Sequence, residues 1–161
     1  MTEKRQYRSL RDAFGQFATG VTVVSTVNKN GEPVGLTANS FASVSLEPPL
    51  VSWSIDKGAS RFSDFVGAQY YTISVLSEEQ QDLSNHFATH SWDANAFSEI
   101  DWFEGHHGVP QLNNVSARFH CKLENSFEGG DHIILLGLVE SYDSEPQAPL
   151  VFFQGDYRSL K

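Results

Sequence analysis

Short apolar runs alternate along this chain with polar breaks. Val21-Thr22-Val23-Val24-Ser25-Thr26-Val27 is rich in β-branched residues and predicts a strand. Asn28-Lys29-Asn30-Gly31 is a turn with Asn-Gly as its strongest element, so Glu32–Ala38 returns as the hairpin partner. Leu50–Ile55, Tyr70–Leu76, Val115–Leu123, Ile133–Val139 and Leu150–Phe153 repeat the pattern, with Glu128-Gly129-Gly130-Asp131 as a further turn. Phe41–Leu46 fits a strand or an extended connection, and Glu47-Pro48-Pro49 predicts an extended turn.

Helical spacing is confined to three places. Leu10, Phe14, Phe17 and Ala18 predict a first helix over about residues 9–18, stopped by Gly20. Ala59, Phe62, Phe65 and Val66 share one face of a short helix between Gly58 and Phe65. Ser77-Glu78-Glu79-Gln80 has capping-box spacing and opens a helix through Leu83 and Phe87. Thr89 to Gly108 is irregular, aromatic and acidic, too long for a plain connector, and reads as a functional loop or lid. About seven strands joined by tight turns predict a mainly β fold: an antiparallel barrel with peripheral helices. No linker interrupts the chain, so residues 1–161 are expected to form one domain.

Composition narrows the function classes. Aromatics at 12% and charged residues at 19% indicate a folded core rather than disorder. A net charge of −9 supplies no basic field for nucleic acid or an anionic membrane surface. Met1–Arg8 is charged and unlike a signal peptide, and no apolar run has the ~20 residues of a membrane helix, so a cytoplasmic location is expected. Cys121 stands alone, which leaves no intrachain disulfide and no cysteine-cluster metal site.

Three segments could carry chemistry. Leu36-Thr37-Ala38-Asn39-Ser40 combines small side chains with hydroxyls and an amide, so backbone and side chains can approach a planar, hydrogen-bonding ring. The same residues also fit a turn that satisfies its own backbone. Ser54-Ile55-Asp56-Lys57-Gly58-Ala59-Ser60-Arg61 leads from a strand into a helix start, where Lys57, Ser60 and Arg61 suit an anion, or equally a solvated turn capped by Ser60. Gly130-Asp131-His132 places a histidine at a strand start, either at a pocket mouth or on a surface hairpin. His106-His107 is an unpromising metal pair, since adjacent extended residues point opposite ways, and no metal site is expected. Nucleophile elbow, P-loop and G-x-G-x-x-G are all missing, so any nucleotide is held without a Rossmann fold.

The order of these segments resembles a known family. Phe17-Ala18-Thr19-Gly20-Val21-Thr22-Val23-Val24, Gly35–Ser45 and Pro48-Pro49-Leu50-Val51 are similar to the first signature of the short-chain flavin reductases, the reductase components of two-component monooxygenases. Gly130-Asp131-His132 with Gly137-Leu138-Val139-Glu140, and Phe152–Tyr157, resemble the second and third signatures. The resemblance implies an FMN-binding split barrel, a homodimer, and hydride transfer from NADH or NADPH to FMN or FAD for a partner oxygenase. It implies that Leu36, Thr37, Ala38, Asn39 and Ser40 line the flavin ring and that Ser54, Asp56, Lys57, Ser60 and Arg61 surround the phosphate end. His132 would be the catalytic-site residue facing the nicotinamide, with Tyr157 closing the pocket near it. His86 falls where the family often has an arginine, and Phe62 where it often has a threonine, which leaves FMN against FAD open. A non-catalytic flavin-binding or redox-sensing barrel is the alternative.

Overall fold

The computed structural model describes residues 3–160. In chain order the elements are α1 (Glu3–Phe14), β1 (Thr19–Gly20), β2 (Thr22–Val27), β3 (Pro33–Ala38), β4 (Ala42–Leu46), β5 (Pro49–Asp56), α2 (Phe62–Val66) and β6 (Tyr70–Val75). Then follow α3 (Gln81–Thr89), β7 (Trp102–Glu104), β8 (Pro110–Leu112), β9 (Ala117–Gly129), β10 (His132–Ser144), β11 (Val151–Phe153) and β12 (Asp156–Arg158). Seven strands form one antiparallel sheet in the order β3-β2-β6-β9-β10-β5-β4. The chain passes from edge strand β3 to edge strand β4 through residues 39–41. There the Ser40 hydroxyl donates to the Ser54 carbonyl of β5 at 3.1 Å and accepts from the Ser54 N–H at 2.9 Å. Those bonds tie the exit of β3 to β5 where the predicted barrel closes.

Alternation along the strands sorts two apolar clusters. Val24, Val34, Trp53, Ile55, Phe65, Tyr71, Ile73 and Leu135 fill the barrel. Val21, Val23, Phe87, Phe97, Leu112, Val115 and Leu150 form a second cluster beneath α3 and the following excursion. Two glycines mark tight approaches. A Cβ on Gly35 would lie 2.6 Å from the Phe87 ring, and one on Gly137 would collide with the Tyr71 hydroxyl.

Several boundaries differ from expectation. The first helix runs Glu3–Phe14 rather than 9–18, because the chain turns at Gly15, whose N–H closes onto Arg11; Gly20 belongs to strand β1. The helix expected from Gly58 to Phe65 is only Phe62–Val66, and Arg61, without a capping side-chain bond, stands where Ser60 was the candidate cap. Residues 47 and 48 form a tight β4–β5 turn, with Glu47–Pro48 cis, rather than an extended one. Pro49 then opens β5, where a missing N–H is tolerated. The capping box is present: Gln80 accepts from the Ser77 N–H, and the Ser77 hydroxyl caps the Gln80 N–H. The 89–108 segment contains β7, and β9 and β10 extend beyond the predicted runs into an exposed ribbon turning at Gly130, φ 74°. No described helix is long and apolar enough to cross a membrane.

Candidate active site

The site is assembled where the barrel edges meet. β3 is an edge strand, so one side of its backbone is free of sheet pairing. Leu36 and Ala38 turn their side chains to the barrel core, which leaves Thr37 on the outer face. Its hydroxyl donates to the Ser84 carbonyl of α3 at 2.6 Å, fixing the helix against the strand. The Ser84 hydroxyl lies 2.7 Å from the Tyr157 hydroxyl, which also donates to Asn85 Oδ1 at 3.1 Å. Thr37, Asn39, Ser84 and Tyr157 thus line one open cleft of about 190 Å³, with Val21, Ala88 and Phe152 as its apolar wall. Hydroxyls and an amide rim an apolar surface, the donor set a flat heterocycle with a polar edge needs.

A second group sits along β5 and its exit. Ser54 is tied to Ser40, and the Asp56 carboxylate accepts from the Gly58 N–H at 2.7 Å. The Lys57 ammonium pairs with Glu128 at 2.6 Å, a partner on the exposed ribbon. Arg61 donates to the carbonyls of Ser91 at 2.6 Å and Trp92 at 3.2 Å, and Ser60 lies 3.3 Å from the Ser91 hydroxyl. His86 Nε2 lies 2.7 Å from the Ala96 carbonyl. Arg61, Ser60 and His86 therefore anchor the loop after α3 in this conformation, rather than presenting free donors.

His132 stands apart from the cleft. It pairs with Asp56 at the end of β5, and its Nδ1 lies 2.7 Å from Asp131 Oδ1. That hydrogen bond, followed by the charge of His132, holds the Asp131 carboxyl below its ordinary range. The fold thus joins Thr37, Asn39 and Tyr157, joins Ser40 and Ser54, and places Asp56, Lys57 and His132 at one hairpin end. Ser84, Asn85 and Ser91 escaped the sequence reading, since a serine or asparagine on a polar helix or loop carries no signal until its tertiary partner is known. A larger depression of about 470 Å³ lies elsewhere, among Val27, Ser63, Gly67 and Tyr70, and holds none of the predicted residues. The smaller cleft is the better candidate because polar groups from β3, α3 and β12 converge on it.

The split antiparallel barrel with a polar cleft at its seam is the architecture that the sequence resemblance implied, and comparison with known proteins identifies the family. Residues 14–161 match the flavin reductase like domain, and the chain belongs to that family. It is 45% identical over 157 residues to the reductase component of the flavin-dependent trigonelline monooxygenase of Acinetobacter baylyi, covering 98% of this chain and 50% of that protein. It is 43% identical over 150 residues to the FMN reductase (NADH) SmoA of Agrobacterium fabrum, covering 93% and 84%. The fold matches the Streptomyces globisporus NADH:FAD oxidoreductase SgcE6, solved with NAD and FAD fragments, at a TM-score of 0.90 and 37% identity, covering 100% of this chain and 96% of that one. The chain spans about half the length of the first two curated relatives it matches, at 50% and 48%.

Proposed function

We propose that this chain is an NADH-dependent flavin reductase, taking FMN or FAD, that delivers reduced flavin to a separate oxygenase. The observation that carries this is the polar cleft at the barrel seam, in a chain matching an NADH:FAD oxidoreductase along its whole length. Bound flavin would supply the electron-accepting ring, and reduced nicotinamide the hydride. The chain's own part is to orient and stabilise. Thr37, Ala38, Asn39 and Ser40 would present backbone and amide donors to the ring's polar edge, and Leu36 would back the strand from the core. Ser54, Asp56, Lys57, Ser60, Arg61 and His86 would border the phosphate end, with Arg61 and His86 exchanging loop carbonyls for phosphate oxygens. Tyr157 would wall the ring, and His132, outside the cleft and with its Nδ1 beside Asp131, would turn Nε2 towards a nicotinamide reaching out from the ring. An open cleft suits a flavin that must leave after reduction.

The same reading includes a homodimer and a cytoplasmic setting. Tyr7, Leu10 and Phe14 are 67%, 49% and 70% exposed at helical spacing on α1, and Phe17 follows at 80%, an apolar face suited to a second copy. Light scattering at micromolar concentration should give twice the chain mass.

The test is NADH oxidation with FMN, FAD and riboflavin in turn, monitored anaerobically. Flavin bleaching in step with NADH loss is expected. His132→Ala should raise the KM for NADH about tenfold while moving the flavin KM less. Flavin binding without NADH oxidation would overturn the reading.

A further inference from the structure

Away from the cleft, three side chains that lie far apart in sequence converge. His107 lies in the turn His106–Gly108, His120 on β9 and Glu140 on β10. One atom of each falls within 4.8 Å of the others. Glu140 Oε2 lies 3.6 Å from His107 Nε2 and 4.0 Å from His120 Nε2. Both separations are too long for hydrogen bonds, so the heads face one another across a gap.

His120 is the decisive member. It is 3% exposed, and its Nε2 has no hydrogen-bond partner. Its Nδ1 lies 3.3 Å from the Thr72 hydroxyl on β6. With the proton on Nδ1 and given to Thr72, Nε2 turns a lone pair into the gap. That is how metal-bound imidazoles are commonly held: one nitrogen fixed by a neighbour, the other on the ion.

The other two members are positioned by local irregularities. The β9–β10 register shifts between Val139 and Ser141, so Glu140 is the extra residue of a bulge beside His120. Bulges re-aim side chains in this way. His107 takes φ 56°, uncommon for a residue other than glycine, and its ring stacks on Tyr70 at 3.7 Å between centroids. Two imidazoles and one carboxylate suit a borderline ion such as Zn²⁺ better than Mg²⁺ or Ca²⁺, which prefer all-oxygen sets. Ligand atoms about 2.0–2.2 Å from a tetrahedral ion stand roughly 3.3–3.6 Å apart, so small rotations of exposed His107 and Glu140 complete the geometry.

We propose that His107, His120 and Glu140 bind one divalent transition-metal ion of the Zn²⁺ type, clamping the 105–109 turn onto β9 and β10. The site shares no residue with the seam cleft, and the inference does not depend on the flavin reading.

The test uses the untagged full chain, stripped with chelator and titrated with Zn²⁺ by calorimetry, with Co²⁺ as the optical probe. One ion per chain is expected, with tetrahedral Co²⁺ bands in the visible. His107→Ala and Glu140→Gln, both partly exposed positions that leave the fold intact by circular dichroism, should each weaken binding at least tenfold. His90→Ala, on an unrelated surface, should bind as the parent does. Absence of one-equivalent binding, undiminished affinity in either His107→Ala or Glu140→Gln, or equal loss in His90→Ala would overturn the proposal.

Discussion

Trp53 and Phe87 are both fully buried, yet they lie on opposite sides of the β2–β3 wall. Trp53 sits inside the barrel, edge-on to Phe65 at 5.3 Å and to Tyr71 at 5.9 Å. Phe87 sits outside it, 4.9 Å from Phe97, and contacts the wall where Gly35 has no side chain. The inner cluster is drawn mainly from strands and holds the sheet closed. The outer cluster joins α3 and loop residues to the barrel, and Val21, one of its members, also walls the cleft. Stability should therefore follow the inner cluster, and ligand affinity the outer one.

Trp53→Ala should produce the largest effect. Removing a fully buried indole ring from a closed core costs about 3–5 kcal/mol, and denaturant unfolding monitored by circular dichroism would report it. The loss should appear as global unfolding, with flavin KM unchanged in whatever fraction stays folded. A selective rise in flavin KM at full stability would contradict the division between clusters.

Gly35→Ala attacks the other side. The new methyl would press on a fully buried ring, and overpacking of this kind costs about 1–3 kcal/mol. Relief requires α3 to move off β3, which stretches the 2.6 Å bond from Thr37 to Ser84. Flavin KM should therefore rise several-fold even at temperatures where the protein remains folded. Tyr157→Phe is milder: it deletes the hydroxyl shared with Ser84 and Asn85, for about 0.5–1.5 kcal/mol. Flavin KM should rise by a factor of a few, with a smaller drop in the unfolding midpoint than Gly35→Ala gives.

The same division explains what the sequence disclosed. Val21–Val27 alternates between the two clusters, and its β-branched content made the strand readable from local pattern alone. Thr37, Asn39 and Ser40 were readable as a polar break, but the resemblance set Tyr157 beside His132, whereas the fold puts it in the cleft with Thr37 and Asn39. Strands β1, β7, β8 and β12 have only two or three residues, too few to display a period. Arg61 fitted an anion site or a solvated turn, and nothing local announces that the Ser91 and Trp92 carbonyls fold back onto it. The His107–His120–Glu140 group was illegible for a similar reason: a β-bulge and a left-handed turn create it, and neither leaves a spacing signature.

Cys121 gives the smallest effect near neutrality and separates the clusters by pH. It is fully buried on β9 among the inner cluster, and burial, followed by the Glu140 charge, pushes its thiol from 9.0 to about 12. The folded state thus favours the protonated thiol. That contribution is fully present below pH 9.0, where the unfolded thiol is also protonated, and is lost as pH rises towards 12. Tyr71, likewise buried and raised above its ordinary range, adds a second loss in the same direction at higher pH. Stability measured by urea unfolding should be flat from pH 7 to 9 and then fall. Cys121→Ala should make that fall shallower without abolishing it, because Tyr71 remains. A thiol reagent at pH 8 should label Cys121 at least a hundredfold more slowly in the folded chain than in urea. Rapid labelling of the native protein would mean that the barrel interior opens readily, and the inner cluster would lose its claim to be the rigid half of the molecule.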